Sequence, residues 1–444
     1  MNLQSFRGGR EARKGMKDPD HLATSEVGFD DEAFPYFDGW MRGGARKEYA
    51  DTINQRERVG ATGFFAFLVA TTIGFGSVNQ ASLVVVPVLR GLALCLAIVC
   101  LILRLLQSGR PPALLSTVAV ITALYCYGVL QATAEAKNLV DLRSIALSYV
   151  LVSWGALLFA SCSGASCQLQ VARYFICFAS LWLLFLVLTG GVELGGMPSY
   201  HFDIEDDEGR VVSYSQGISK YFGIASVFAL YYAKSQLTNI LSIFFIGIAL
   251  AFLFFSFIGG GRGDFLVALL IILIMAAKSG RRIWLPLVIV IITCVSLLLV
   301  WAIEESIGEI LMVQRLQVLI AGESLGLRDQ LVLEGLELLG NKLDCLAMGC
   351  GYGFFQTYFS YEYGMYPHNI VVESVIVWGL PIVIGIASLA FIGWKSLRWQ
   401  GGALHWVGAY MLLIGLKSGD VVNSWLAMSY ILYLAGQGLS MRRV

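Results

Sequence analysis

Between residues 60 and 439 the chain returns repeatedly to apolar runs of about 20 residues, the length a helix needs to cross the hydrocarbon core of a bilayer. This feature leaves few folds open. Lipid offers no partner to a backbone N–H or C=O, so a spanning segment must satisfy its own, and runs of this kind become helices. With 57% apolar residues, 14% charged and a mean hydropathy of +0.71 over 444 residues, a soluble domain is excluded. The fold class expected is all-α: a polytopic membrane bundle of about 12 transmembrane helices with one large periplasmic loop.

Taking Gly, Pro and charge as the ends of each run, the spans fall at 60–77, 82–103, 113–131, 142–161, 171–190, 215–233, 238–258, 263–278, 283–302, 369–393, 403–417 and 420–439. Residues 1–58 mix charge of both signs with Gly and Asp and read as a disordered or loosely helical cytoplasmic tail. Spans 1–9 occupy 59–302, a loop occupies 303–368, and spans 10–12 occupy 369–444. Short cytoplasmic loops collect Lys and Arg. Arg104, Arg110, Lys234, Lys278, Arg281, Arg282, Lys395, Arg398, Arg442 and Arg443 all fall on one side of a twelve-span bundle. Both termini are then cytoplasmic, and loops 191–214 and 303–368 face outside, which for a bacterial inner membrane is the periplasm. The longer loop exceeds a mere connector and should carry function. Within it, 325–339 has leucines at helical spacing and reads as an amphipathic helix on the membrane or over a cavity.

That loop ends in Tyr366-Pro367-His368-Asn369. Proline cannot continue a helix from upstream, so His368 and Asn369 should cap the helix that follows. The positive end of a helix disfavours imidazolium, so a His held there stays neutral and able to accept a proton near pH 7, as a general base must. A plain capping role explains the pair equally well.

The second signal is cations that break the positive-inside pattern. Arg262, in Gly261-Arg262-Gly263, sits at the outer turn between spans seven and eight, where glycines let backbone approach a ligand. Arg90 and Lys220 fall within spans two and six, a few turns below the outer surface, and a charge there faces a wet cavity or snorkels to the interface. Arg315 and Arg328 add positive charge in the large loop. Converging guanidinium groups suit phosphate oxygens, and a phosphate at a membrane suggests a lipid.

Nine cysteines include no CxxC pair and no Cys/His cluster of zinc spacing, which argues against a metal framework. Cys345 and Cys350, in the outer loop, are candidates to pair in an oxidising compartment. The acids Asp203, Glu205, Asp206, Asp207 and Glu208 beside His201 are the best place for a divalent ion, yet match no EF-hand and read equally as a solvated loop. No metal or other cofactor is expected.

Together, Gly261-Arg262-Gly263, Leu327-Arg328-Asp329-Gln330-Leu331, Gly349 to Phe355, and Pro367-His368-Asn369-Ile370-Val371-Val372-Glu373 with Trp378-Gly379-Leu380 resemble the O-antigen ligase and polymerase superfamily of bacterial membrane glycosyltransferases. The resemblance covers about 259–390; upstream only the pattern of spans is similar. Val377 departs from it, since many relatives place an acidic residue ahead of the glycine. What the resemblance implies is transfer of an oligosaccharide from an undecaprenyl diphosphate donor to an acceptor glycan or glycolipid, on the periplasmic side, metal-independent and inverting. It implies His368, Arg262 and Arg328 as catalytic residues. Arg90, Lys220, Arg315, Asn369 and Glu373 are the candidate substrate-binding residues. Partners would be the lipid-linked donor, the acceptor, membrane lipid and a chain-length regulator, with no nucleic acid. The Pro-His-Asn-Ile form with Glu373 is nearer the polymerases. A ligase acting on lipid A core is the alternative within the family, and a lipid-linked oligosaccharide flippase the alternative of another class, although internal repeats of the transporter kind are not evident.

Overall fold

The computed structural model describes residues 43–76, 79–107, 112–132, 142–162, 164–193, 199–200, 215–236, 239–259, 261–278, 293, 327–361, 365–397 and 402–441. Two compact units divide the chain at 53/54, and nearly everything described lies in the second. Spans one to eight supply α1 (Gly43–Thr72), α2 (Gln80–Gln107), α3 (Pro112–Gln131), α4 (Leu142–Ser161), α5 (Ala165–Leu188), α6 (Ser215–Ser235), α7 (Asn239–Ile258) and α8 (Arg262–Ala277). A single antiparallel pair, β1 (Val192–Glu193) with β2 (Ser199–Tyr200), follows α5. The large loop contains α9 (Leu327–Asn341), α10 (Leu343–Met348) and α11 (Phe354–Phe359). The chain closes with α12 (Ile370–Trp378), α13 (Leu380–Leu397), α14 (Ala403–Ser418) and α15 (Trp425–Met441).

The described residues are therefore almost entirely helical, and four segments, Gln80–Leu106, Leu142–Ser161, Ala165–Leu188 and Ile240–Ile258, are long and apolar enough to cross a membrane. This is a membrane protein. Span nine, Arg315 and the acidic run 203–208 lie outside the described residues. α1 begins at Gly43, inside the segment read as tail, because its charged residues are good helix formers and lead without a breaker into the apolar run.

α3 and α4 run in opposite directions, and polar contacts gather at both ends of the bundle. Tyr125 on α3 meets Ser148 on α4 at 2.7 Å, and Thr122 meets Tyr149 at 2.9 Å, an antiparallel register. At one end Arg104 reaches the Ser161 carbonyl (3.5 Å), Gln168 accepts the Leu404 N–H (3.2 Å), and Lys278 lies 5.5 Å over the Trp406 ring. At the other, Asn79 donates to the Thr189 carbonyl (3.1 Å) and the polar cluster described below is assembled.

The tenth span, expected as one helix over 369–393, is broken. α12 stops at Trp378, Gly379 takes a φ of +84°, and α13 starts afresh. Only glycine fits: a Cβ on Gly379 would sit 2.8 Å from the Gly349 nitrogen, and one on Gly349 (φ +78°) would sit 2.6 Å from the Trp378 carbonyl carbon. Two chain segments cross here at backbone contact. The freed carbonyls of α12 are taken by this crossing strand: Ile376 accepts from the Cys350 N–H (2.7 Å) and Val377 from the Gly351 N–H (3.2 Å). In an apolar setting that satisfies the groups a break exposes. Tyr352 N–H continues to the Gly128 carbonyl (3.3 Å), tying the strap to α3. The Cys345–Cys350 disulfide closes the turn before it. Cys162 and Cys167, which no sequence pattern separates from the other core cysteines, are also paired.

Candidate functional site

Asn369 is the N-cap of α12. Its side-chain oxygen accepts from the N–H groups of Val371 (3.0 Å) and Val372 (3.2 Å), and its amide nitrogen donates to the Leu416 carbonyl of α14 at 2.8 Å. It therefore fixes both the start of α12 and its distance from α14. His368 stands one position before the cap with a left-handed φ of +51°, an uncommon conformation for a non-glycine residue and one met at functional sites. Pro367 is buried on the residue's other side, against Gly335 of α9. The Tyr366 ring centroid lies 4.1 Å from that of His368. His368 Nδ1 is buried and has no hydrogen-bond partner among the described residues.

Arg328 is brought near by α9. Leu331 and Leu338 are fully buried, in one cluster with Val372, Val375 and Ile376 of α12. A Cβ on Gly335 would lie 2.8 Å from Val372, so glycine sets how closely the helices approach. The first turn of α9 is thereby held at the start of α12. The electrostatic consequence falls on His368: burial first, and then the Arg328 charge, pull its pKa down from 6.5 to about 4. Burial and Arg328, rather than the helix end, favour the neutral imidazole. It is also a weaker base in the free protein than a group poised near 7. Burial, with the charges of Asp420 and Glu373, pushes the Tyr366 phenol upward, so it stays protonated.

The remaining charges gather beside it. Lys220 on α6 lies within electrostatic reach of Asp264, Lys417, Asp420 and Arg328. Asp264, 1% exposed in the first turn of α8, pairs with Lys417 of α14 at 3.3 Å. Tyr410 places its hydroxyl 3.3 Å from the Lys220 carbonyl and 3.4 Å from that of Asp264, locking α6, α8 and α14 together. Glu373 Oε2 accepts the Val421 N–H at 2.9 Å, joining α12 to the α14–α15 turn. In that turn Asp420 accepts from the Asn423 backbone (2.5 Å) and side-chain amide (2.6 Å). A cavity of about 240 Å³ opens here, lined by Arg90, Lys220, Thr71, Ser418, Asn423 and Ser424 among others. Arg90, which lines the cavity, is held by a 2.9 Å bond from Nε to the Ala70 carbonyl.

Arg90 and Lys220, separated by 130 positions, thus line one cavity. Arg328 reaches both Lys220 and His368 electrostatically, and Glu373 is bonded to the α14–α15 turn that contributes Gly419, Asn423 and Ser424 to the cavity wall. Arg262 opens α8, but its side chain lies outside the described residues, as does all of Arg315. The glycines around Arg262 have a different partner from the one expected: a Cβ at Gly261 would meet Ser219 at 2.6 Å and one at Gly263 would strike Lys417, so they admit protein rather than ligand. The Gly261 N–H is also bonded to Ser219 Oγ at 2.9 Å.

Asp264, Lys417 and Asp420 were missed. The signal was available, since a charge inside an apolar helix seam is what singled out Arg90 and Lys220. Asp264 follows the Gly261-Arg262-Gly263 turn, and Lys417 and Asp420 fall at span ends.

Chemically the cluster combines an acceptor nitrogen, cations able to hold an anion, and buried carboxylates that keep those cations in place. Comparison with protein-family models finds no match to this chain, and a search of the curated proteins finds none.

Proposed function

We propose that the protein is a membrane glycosyltransferase of the polysaccharide polymerase type, transferring an oligosaccharide from undecaprenyl diphosphate to an acceptor sugar at the outer face of a bacterial inner membrane. In this reading the bundle has twelve spans and both termini lie in the cytoplasm. The observation that carries the proposal is that His368, its buried Nδ1 without a hydrogen-bond partner among the described residues, feels the charge of Arg328, which also reaches Lys220, and that Lys220 and Arg90 line one cavity of a membrane-helix bundle.

The acceptor O–H is deprotonated by His368, directly or through water, as its oxygen attacks the anomeric carbon. The bond from that carbon to the diphosphate oxygen breaks, and undecaprenyl diphosphate leaves with the electron pair. Arg328 and Arg262 stabilise the charge that develops on the leaving group, while Arg90 and Lys220 hold the phosphates from the cavity side. An anion bound beside Arg328 offsets the smaller of the two causes that lower the His368 pKa, burial remaining the larger. A single displacement inverts the anomeric centre. Asn369 and Glu373 keep the start of α12 and the α14–α15 turn in register around the reacting groups.

The test is donor consumption in proteoliposomes containing EDTA, with a lipid-linked repeat unit. Wild type is expected to turn over, with His368→Ala reduced about 10²–10⁴-fold and Arg262→Ala about 10²–10³-fold at normal insertion. Full activity in His368→Ala removes the base and leaves that residue a structural one. Product length separates a polymerase from a ligase, and movement of donor across the bilayer without consumption would establish a flippase.

A further inference from the structure

The two disulfides lie at opposite ends of one membrane helix. α4 (Leu142–Ser161) is about 30 Å long and apolar enough to cross a bilayer. Cys162 is the residue that follows it, and the bond to Cys167 closes the turn into α5. Cys345–Cys350 is at the other end. α3 runs antiparallel to α4, so the last turn of α3 stands beside the first turn of α4. The strap that begins at Cys350 is held to that last turn of α3: the Tyr352 N–H bonds the Gly128 carbonyl at 3.3 Å, and a Cβ on Gly351 would strike the Ala132 backbone. Disulfides persist in an oxidising compartment and are kept reduced in the cytosol, and a bacterial inner membrane has one side of each kind. Only one of the two pairs is then a permanent crosslink. In the orientation of the proposed function Arg104 faces the cytoplasm, and Arg104 bonds the Ser161 carbonyl next to Cys162. Cys162 and Cys167 are on the reducing side, and Cys345–Cys350 is the permanent pair.

We infer that Cys162 and Cys167 form a reversible thiol–disulfide site, two thiols in the growing cell and a disulfide when low-molecular-weight disulfides accumulate at that face. The inference takes the orientation, and not the reaction, from the proposed function. Oxidation proceeds by exchange. One cysteine thiolate attacks a sulfur of the small disulfide and expels a first thiolate; the second attacks the protein sulfur of the mixed disulfide and expels the other. Two electrons and two protons pass from the cysteine pair to the small disulfide, which leaves as two thiols. A cation stands close by, as thiolate chemistry favours: Arg104 Nε and Cys167 Sγ lie 3.9 and 3.7 Å from the point a Cβ on Gly60 would occupy, within about 8 Å of each other. Both cysteines are buried, while Gly164, Ala165 and Ser166 between them are exposed, so exchange proceeds as this turn opens. The bond is felt beyond the turn. Ser161 holds α2 through Arg104, Ser166 holds α1 through Glu57, and Gln168 holds α14 through the Leu404 N–H. Oxidation therefore clamps the junction of these helices with α4 and α5, and reduction loosens it.

The test uses the wild-type chain in growing cells. Cells are quenched in acid, free thiols are blocked with N-ethylmaleimide in denaturant, the protein is reduced, and the thiols released are labelled with deuterated N-ethylmaleimide. Mass spectrometry reads the two labels at each cysteine, with the free Cys126 as reference. In untreated cells Cys162 and Cys167 should carry the light label, like Cys126, and Cys345 and Cys350 the heavy one. After membrane-permeant dipyridyl disulfide, Cys162 and Cys167 should both lose the light label, the Cys162–Cys167 crosslink should appear in the unreduced digest, and dithiothreitol should reverse the change. Heavy label at all four positions in untreated cells, or no crosslink after the oxidant, overturns the inference and leaves the proposed function standing. A light Cys345–Cys350 pair with a heavy Cys162–Cys167 pair overturns the inference and reverses the orientation in the proposed function as well. In the purified protein, reduction should cost the Cys162 and Gln168 amides, bonded to the Leu158 and Gly164 carbonyls, their protection from hydrogen exchange; unchanged protection overturns the clamp.

Discussion

The His368 environment makes a prediction that is independent of any reaction. A fall from 6.5 to about 4 corresponds to about 3.4 kcal/mol of preference for the neutral ring. His368 is only half-buried, so solvent screening leaves roughly half of that. The perturbation is Arg328→Gln, which removes the second cause of the shift and leaves the first. The assay is the rate of His368 modification by diethyl pyrocarbonate, which attacks only the neutral imidazole, followed against pH by mass spectrometry in detergent. In wild type the rate should stay high down to about pH 5 and halve near 4. In Arg328→Gln the midpoint should move upward yet stay below 6.5, because burial remains. The same shift fixes the sign for stability. With the folded pKa below the unfolded one, the unfolded chain binds the extra proton between pH 6.5 and 4, so His368 destabilises the fold progressively as pH falls through that window and has no effect above it. A wild-type midpoint at or above 6.5, or no movement in Arg328→Gln, would refute the electrostatic reasoning.

Other perturbations test the framework around it. Asn369→Ala loses the cap and the tie to Leu416, about 1 kcal/mol each, whereas Asn369→Asp keeps the cap and loses only the donor; hydrogen exchange of α12 should rank them wild type, Asp, Ala from slowest to fastest. Gly349→Ala places a methyl group against backbone at a left-handed φ and should cost at least 3 kcal/mol or prevent folding, while Gly247→Ala, whose Cβ meets nothing within 4 Å, should be neutral or stabilising by thermal melting. Asp264→Asn leaves Lys417 without its counter-ion beside Lys220 and should lower thermal stability by about 1–3 kcal/mol, with Lys417→Met partly restoring it in the double variant. Reduction of Cys345–Cys350 should speed exchange of the Cys350, Gly351 and Tyr352 amides before any other part of the bundle.

The sequence by itself determined the class of molecule. Apolar runs of spanning length force helices, because hydrogen bonding in lipid has no other local solution, and Pro367 followed by Asn369 specifies a helix start. Arg90 and Lys220 could be singled out because a charge in such a run needs a reason, and that argument holds without knowing what surrounds it. The surroundings were decided only in three dimensions. The break at Gly379 depends on a strand from Cys350 arriving to take the carbonyls of Ile376 and Val377, an interaction between chain segments that no local pattern encodes. The placing of Asp264 against Lys417, more than 150 positions apart, is of the same kind. The lowered pKa of His368 comes from burial and from Arg328, carried there by the packing of α9 on α12, and neither cause is visible in the local sequence. Local sequence sets which groups are present and what each tolerates; the low dielectric and the neighbours that set their energies exist only once the helices have packed.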